Sequence, residues 1–505
     1  MSSQRRSSCA LVAAMTLLGG CAVGPNYRKP EGAGGAPVAA SFVNVGQAGV
    51  DEGEVAVRFW EQFNDRVLDQ LVADALASNN DLRIAAANLR ASRAAFRLST
   101  FDLGPTVTAH ADYQRILQST HQLLPGETDA DRHFTNADVG FDAVWELDFF
   151  GRVRRNVERA RAETQAAEAT LRDVQVSLIA ELARDYFSLR GLQDQLAVAL
   201  RNSKNQEQTL QLTQVRLDAG RGNELDTARA EAQLRTTQAQ IPPLESAISN
   251  TVYALSVLTG RQPAALAPTL LPTQALPQLP SLTSVGTPAS LLRRRPDVQV
   301  AERHLAAATA AIGIAIGDLF PKVTFIGAVG YEAGSFSAIS DSGSSTHTFG
   351  PSISWAAFDI GRVQARIRAA RANADAELAA YQKTVLSALQ ETDGALVSYG
   401  RSAERAHTLE LATSASDKAA RLARQRYEAG LSDFLNVLDA EREALSSETN
   451  LAQSRTETAT DLVAVYKALG GAWEGLERME SAGGANSDYR GARDQTRVAD
   501  KESGP

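Results

Sequence analysis

An internal repeat constrains this chain more than any other feature. At an offset of 210, Trp145 meets Trp355, Gly151-Arg152-Val153 meets Gly361-Arg362-Val363, and Arg216, Ala219, Gly220 and Leu225 meet Arg426, Ala429, Gly430 and Leu435. Upstream the offset is 216: Asp81, Leu89, Asp102, Leu103 and Pro105 meet Asp297, Leu305, Asp318, Leu319 and Pro321. The six-residue change falls between Pro105 and Trp145, as an insertion in a tolerant loop does. Self-similarity at a fixed offset means two copies of one supersecondary unit. Residues 261–288 separate them and hold Pro263, Pro268, Pro272, Pro277, Pro280 and Pro288, so an extended connector is expected.

Each copy carries two segments of period two. Val107, Ala109, Ala111 and Tyr113 alternate with Thr108, His110 and Asp112; Val139, Phe141, Ala143, Trp145 and Leu147 alternate with Asp138, Gly140, Asp142 and Glu146. In the second copy Val323, Phe325, Val329 and Tyr331 share a face, and so do Ile353, Trp355 and Ala357. Such alternation over about ten residues, with aromatics near the ends, marks a membrane β-strand; a half-exposed soluble sheet is the competing reading. Polar loops at 115–133 and 333–348 join the pairs. Four strands do not close a membrane barrel, and hydrocarbon does not tolerate open sheet edges. Several chains must therefore share one barrel. Two would supply eight strands and three would supply twelve, and the strands alone do not choose.

Between the strand pairs the apolar spacing turns helical. Val153, Val157, Ala160, Thr164, Ala167, Leu171, Val174 and Leu178 follow a four-three rhythm, and Val363, Ile367, Ala370, Ala374, Leu378, Tyr381 and Val385 do much the same. No proline interrupts Gly151–Ala219. A helix of that length would span about 100 Å. Each then meets a glycine, Gly220 or Gly430, suited to a helix C-cap, with Asn223 and Ser432 or Asp433 placed to cap a returning helix. Pro242-Pro243 should kink the first return helix, and the second copy has no such pair. The stripes carry architecture rather than chemistry.

The beginning of the chain reads as an address. Arg5 and Arg6 precede a short apolar stretch, Leu11–Leu18, and then Leu18-Gly19-Gly20-Cys21. This is a secretory signal, too short to span a bilayer. The only two cysteines are Cys9 and Cys21, so the chain beyond has no disulfide and no thiolate site. Charge argues against a nucleic-acid partner, at 51 basic to 59 acidic residues, net −8. Catalysis is not expected. His110, His121, His133, His304, His347 and His407 are scattered, and neither a Walker lysine loop nor a G-x-S-x-G turn is present. Metal: none; cofactor: none beyond a covalent lipid.

The sequence resembles an outer membrane factor of tripartite efflux systems, a TolC-like channel of the NodT-like lipoprotein branch. The resemblance rests on Cys21-Ala22-Val23-Gly24-Pro25-Asn26-Tyr27, Trp145–Val153, Leu291–Val298 with its Arg293-Arg294-Arg295-Pro296-Asp297, Gly317–Pro321, Arg426–Ala440 and Tyr466–Trp473. It covers nearly the whole mature chain. It implies a mainly α, mixed α/β membrane channel with long helical hairpins in an α-barrel and four transmembrane strands per chain, closed by a homotrimer into a twelve-strand barrel. It implies acylation of Cys21, with Ala22 favouring the outer membrane. It implies as partners outer membrane lipid, a periplasmic adaptor protein and an inner-membrane transporter of RND type. Residues 1–20 then form a signal, 21–78 an acylated and equatorial segment, 79–260 repeat 1 with its hairpin near 106–149, 261–290 the connector, 291–473 repeat 2 with its hairpin near 322–358, and 474–505 a polar tail.

The resemblance also assigns a site. Leu435, Asn436, Asp439 and Arg442 follow Gly430 at helical spacings. Matching positions form the periplasmic constriction of similar channels, where three copies would make a leucine ring and an aspartate ring. Asn436 and Ser432 stand where some related channels carry an acid and a base. Asp226 and Arg229 hold related positions in repeat 1 and would join the latch, and the tips at Gly220 and Gly430 would meet the adaptor. If the apolar strand face meets lipid, Asp112, Asp138, Asp142 and Glu146 line the pore and favour cations. Two other readings compete: a duct for exported protein or metal ions, and a lipid-anchored periplasmic coiled-coil scaffold without a pore.

Overall fold

The computed structural model describes residues 22–30, 39–43, 53, 58–122, 125–126, 128–280, 282 and 284–471. The signal, Cys21, Trp473 and the tail at 474–505 lie outside them. Element order is α1 (Arg66–Ser78), α2 (Asn80–Phe101), β1 (Thr106–Leu117), β2 (His133–Leu147), α3 (Arg152–Asp218), α4 (Glu224–Gln238), α5 (Ile241–Leu258), α6 (Pro288–Arg294), α7 (Pro296–Gly317), β3 (Lys322–Ala333), β4 (Ser345–Ser354), α8 (Ile360–Glu428) and α9 (Phe434–Ala468). The described residues fall into two compact units, each drawn from three stretches of sequence: those within Met1–Gly35, Ala87–Glu168 and Val300–Lys383 form the first, and those within Ala36–Ala86, Ala169–Gln299 and Thr384–Pro505 the second. Each unit thus draws on both repeats.

The first unit holds one antiparallel sheet in the order β1-β2-β3-β4. Its two hairpins repeat each other in register. Thr106 pairs with Val144, and Lys322 with Ser354, the same pair moved by the two sequence offsets. The rim repeats too: Trp145 Nε1 donates to the Leu103 carbonyl at 2.9 Å, and Trp355 Nε1 to the Leu319 carbonyl at 3.0 Å. Strand β1 runs three residues into the expected loop, to Leu117, and β2 begins on the loop's last residue, His133. Trp355 and Ala357 fall just beyond β4.

The N-terminal stretch 22–30 belongs to this first unit, not with the equatorial residues that the sequence grouped with it. Val23 N–H donates to the Phe150 carbonyl at 3.1 Å. Arg155, whose side chain is 4% exposed, donates to the carbonyls of Val23 (3.1 Å) and Gly24 (3.2 Å) and to Asn26 Oδ1 (2.8 Å). Gly24 sits at φ +91° with the backbone Gly313 Cα only 2.6 Å from where its Cβ would be, so a larger residue would need the backbone to shift. Tyr27 rests on the alanine cluster Ala162, Ala306 and Ala307, and Lys29 bonds Glu302 at 2.6 Å. Burial pushes the Glu302 carboxyl up, but Lys29 and Arg303 outweigh it and hold the group below its ordinary value.

The second unit carries the main core. Phe59 stacks on Tyr466 at 4.8 Å between ring centroids, Phe63 tilts against Phe187 at 4.6 Å, and Leu182, Tyr186, Leu189 and Leu255 are fully enclosed. Burial pushes the Tyr466 phenol up to about 12. The proline-rich stretch is not a bare connector. Leu266, Leu270, Leu282 and Val285 are buried in this core, and Gln193 Nε2 donates to the Leu270 carbonyl at 2.7 Å. The proline count predicted an extended connector; instead a four-residue helix, Ala267–Leu270, forms within it, and these anchoring side chains were not foreseen. The Arg-Arg-Arg-Pro-Asp motif is explained here as well. Arg295 bonds Asp297 (2.7 Å), Glu391 (2.7 Å) and the Ala468 carbonyl (3.1 Å), capping the last turn of α9.

Helices α3 and α8 run 67 and 69 residues without a break. The expected kink at Pro242-Pro243 is a full interruption, with α4 ending at Gln238 and α5 starting at Ile241 with the prolines in its first turn. Helix α9 is continuous for 35 residues. No helix among the described residues is long and apolar enough to cross a membrane.

Candidate functional site

The sheet of the first unit separates its two faces by parity. Val107 lies opposite Ala143, Ala109 opposite Phe141, and Phe141 in turn opposite Val329. Trp145 faces Phe325, and Val323 faces Ile353. These apolar side chains stay open in the isolated chain: Val107, Phe141, Tyr331 and Ile353 all retain more than half their surface. An apolar band of this kind on a sheet with no helix over it is what lipid covers.

The opposite face carries the acids, with Val144 and Ile326 among them, and the structure brings those acids together with an imidazole and a guanidinium that the sequence reading passed over. His110 Nε2 is 3.1 Å from Asp138 and its Nδ1 is 2.7 Å from Asp142, so one imidazole bridges two carboxylates. Glu146 is held by Arg152 through Nε at 2.8 Å and a second contact to Nη2. Asp112, directly opposite Asp138, has no ionic partner among the described residues. Glu332 also lies on this face, paired in register with Asp138 and accepting from Asn136 Nδ2 at 3.2 Å. Glu332 was legible from the parity of β3, and His110 from that of β1. The face therefore carries less free negative charge than four acids suggest, though acids still outnumber bases.

In the second unit both hairpin tips close as the glycines require. Gly220 has φ +68° and Gly430 φ +72°. Arg221 N–H reaches back to the Arg216 carbonyl, and Leu431 N–H to that of Arg426, each at 2.8 Å. This is the six-to-one bond of a Schellman cap, and a Cβ-bearing residue there costs about 1 kcal/mol. Asn223 Oδ1 caps α4 by accepting from Asp226 N–H at 2.8 Å. Asp433 takes the cap position of α9 but makes no side-chain bond. Asn436 Nδ2 donates to Ser432 Oγ at 3.0 Å, so these two neutral residues tie the first turn of α9 to the tip.

Packing divides the residues of the second tip between inside and outside. Phe434, Val437 and Leu438 are buried with Ala230 and Tyr427. The Arg216 guanidinium lies 4.3 Å over the Tyr427 ring, a cation–π contact that joins the two tips. Leu435 is 47% exposed, and Leu431, Asn436 and Asp439 are exposed with it. The expected Asp439–Arg442 pair does not form within the chain: Arg442 Nε turns to Gln233 Oε1 on α4 at 2.7 Å. Asp226 is occupied by Asn223, whose Nδ2 donates to it at 2.9 Å, and Arg229 makes no ion pair among the described residues. The ion pair the sequence missed sits about two turns from the tip. Arg424 bonds Glu441 at 2.7 Å and Thr209 Oγ1 at 2.7 Å, and Glu441 is nearly buried.

A four-stranded sheet with an exposed apolar face and an acid-bearing opposite face, and long helical hairpins closed at glycine tips, are the parts of a membrane channel. Residues 71–261 and 287–471 match the family model described as outer membrane efflux protein, and the chain belongs to that family of transport proteins. It is 42% identical to the solved outer-membrane channel OprN, with a TM-score of 0.84 over 90% of this chain and 100% of that one. It is 31% identical over 487 residues to the probable efflux pump outer membrane protein TtgC of Pseudomonas putida, covering 95% of this chain and 98% of the relative. It is 32% identical over 479 residues to outer membrane protein OprJ of Pseudomonas aeruginosa, covering 94% and 98%. The chain is an outer membrane efflux channel protein.

Proposed function

We propose that three copies of this chain close one twelve-strand barrel and form the passive exit duct of a tripartite pump of RND type. One observation carries the reading. The sheet has two unpaired edges, β1 and β4, and its outward face is apolar, so a single copy cannot sit in hydrocarbon with its backbone satisfied. Leu435 and Asp439 of α9 point away from their own chain, free to meet their symmetry mates as a constriction. Docking of a periplasmic adaptor and an inner-membrane transporter at the Gly220 and Gly430 tips opens it.

Cys21 carries the acyl anchor, and the clamp on Val23, Gly24 and Asn26 by Arg155 fixes where that anchor leaves the fold. One acyl chain anchors weakly, so this hold and the barrel add to it. Metabolic labelling with a fatty acid should mark the wild type and not Cys21→Ser; equal labelling would refute the anchor.

Gly430→Trp tests the docking. Nothing lies within 3.9 Å of the Cβ position at Gly430, so the indole projects from the tip at the modest cost of a left-handed residue. Co-purification of the adaptor should fall at least about tenfold while the trimer survives. Undiminished capture with an intact trimer would count against tip docking.

A further inference from the structure

The two repeats give the first unit a quasi-symmetry that reaches past its own edges. Within the chain, the junction from repeat 1 to repeat 2 is the β2·β3 ladder, in which Ala143 faces Gly327 and Trp145 faces Phe325. Above it Arg152, at the start of α3, lies within electrostatic reach of Asp318, just past the end of α7. The junction from repeat 2 back to repeat 1 has no counterpart inside the chain. Its two halves stand unused as the outer edges of β4 and β1.

Charge is left over at this second junction in a matching way. Asp318 is satisfied within the chain by Lys322 and Arg366. Its repeat-1 equivalent, Asp102, has Thr106 and Asn156 at the corresponding places, both neutral. Asp102 is exposed and makes no ion pair among the described residues. It lines a cavity of about 320 Å³ with Thr106, Glu146, Arg152 and Asn156. The repeat-2 equivalent of Arg152 is Arg362. It has Ala356 where Arg152 has Glu146, and it makes only an exposed contact with Asp359 at 2.8 Å.

Resting on the trimer reading above, we infer that β4 pairs antiparallel with β1 of a second copy of this chain, with Ile353 opposite Ala111, Trp355 opposite Ala109 and Ser352 opposite Asp112, and that Arg362 enters the cavity beside the partner subunit's Asp102. The register follows from moving the β2·β3 pairs by the same offsets that map one hairpin onto the other. It keeps Val107, Ala109, Ala111, Tyr113, Phe349 and Ile353 on one face and Thr108, His110, Asp112, Thr348 and Ser352 on the other. A slip by one residue would put Ile353 among the acids.

Cross-linking reads the register directly, because Cys21 is the only cysteine past the signal. Directly opposed side chains lie about 5 Å apart and diagonal ones about 7–8 Å, so a thiol linker of about 5 Å reach separates them. Ile353→Cys with Ala111→Cys should give covalent dimers and trimers in detergent. Ile353→Cys with Asp112→Cys, on the other face, and with Tyr113→Cys, two residues along, should not. Dominant linkage at either control overturns the register, and so does no linkage at any of the three positions in an intact trimer. Asp102→Arg alone should lower the fraction of trimer surviving mild SDS, and adding Arg362→Asp should restore it; no rescue overturns the ion pair. If the unsubstituted protein forms no trimer at all, the reading this inference rests on fails instead.

Discussion

Leu435→Ser should raise resting conductance in planar bilayers about tenfold, because the three leucines at the tip would no longer form a dry constriction. Leu435 follows Phe434 in sequence, but α9 turns them to different sides: Phe434 is 2% exposed and Leu435 47%. A serine at Leu435 therefore leaves the buried tip cluster intact, and folding stability should shift by less than about 1 kcal/mol. The same recording under a salt gradient reads selectivity. The acid-bearing strand face holds Asp112, Asp138, Asp142, Glu146 and Glu332 against His110, Lys322 and the adjoining Arg152, so the reversal potential should show cation preference. Asp112→Asn should weaken it most among single carboxylates, since Asp112 alone of the four sequence-predicted acids has no ionic partner among the described residues. Unchanged conductance in an intact trimer would remove Leu435 from the gate. Anion preference would reverse the assignment of the two strand faces.

Phe434→Ala should have the opposite character, a large loss of local stability. Its ring lies 5.6 Å from that of Tyr427 and packs with Ala230, Val437 and Leu438. Truncating a buried phenylalanine costs about 3–5 kcal/mol through lost transfer energy and the cavity left behind. The tip cluster is small and separate from the main core, so the loss appears as local opening rather than global unfolding. Amide exchange in the first two turns of α9 should accelerate by about two orders of magnitude or more, while the helices around Tyr186 and Leu255 keep their protection. Unchanged exchange at the tip would mean that the cluster does not hold it. The adjacent pair Phe434 and Leu435 thus separates packing from gating.

Much of the architecture was legible because it repeats or alternates. The matches around Trp145 and Trp355 announced two units, and period two in Val107–Tyr113 and Val139–Leu147 announced strands that the register bears out pair by pair. Gly220 and Gly430 marked the tips because only a residue free to take positive φ ends a helix in that way. The site was less legible. Spacing put Asp439 and Arg442 on a shared face, yet Arg442 has a better-placed partner in Gln233 on another helix, 209 positions away. His110 looked like one scattered histidine among six until β1 laid it between Asp138 and Asp142. The prolines of 261–288 hid Leu266, Leu270, Leu282 and Val285, whose burial depends on elements far off in sequence.

The sequence by itself determined the local and periodic properties: two copies, four alternating strands, long helices, glycine tips, and an edge problem that no single copy solves. Each depends on backbone dihedrals and side-chain periodicity, which act over a few residues. Tertiary structure alone decided the partnerships: Arg155 with the N-terminal stretch, Arg295 with the end of α9, His110 with two carboxylates, and Phe434 inside while Leu435 stays out. A hydrogen bond or a buried contact is short-ranged in space but indifferent to separation along the chain, so only the folded arrangement selects among the many partners that composition permits.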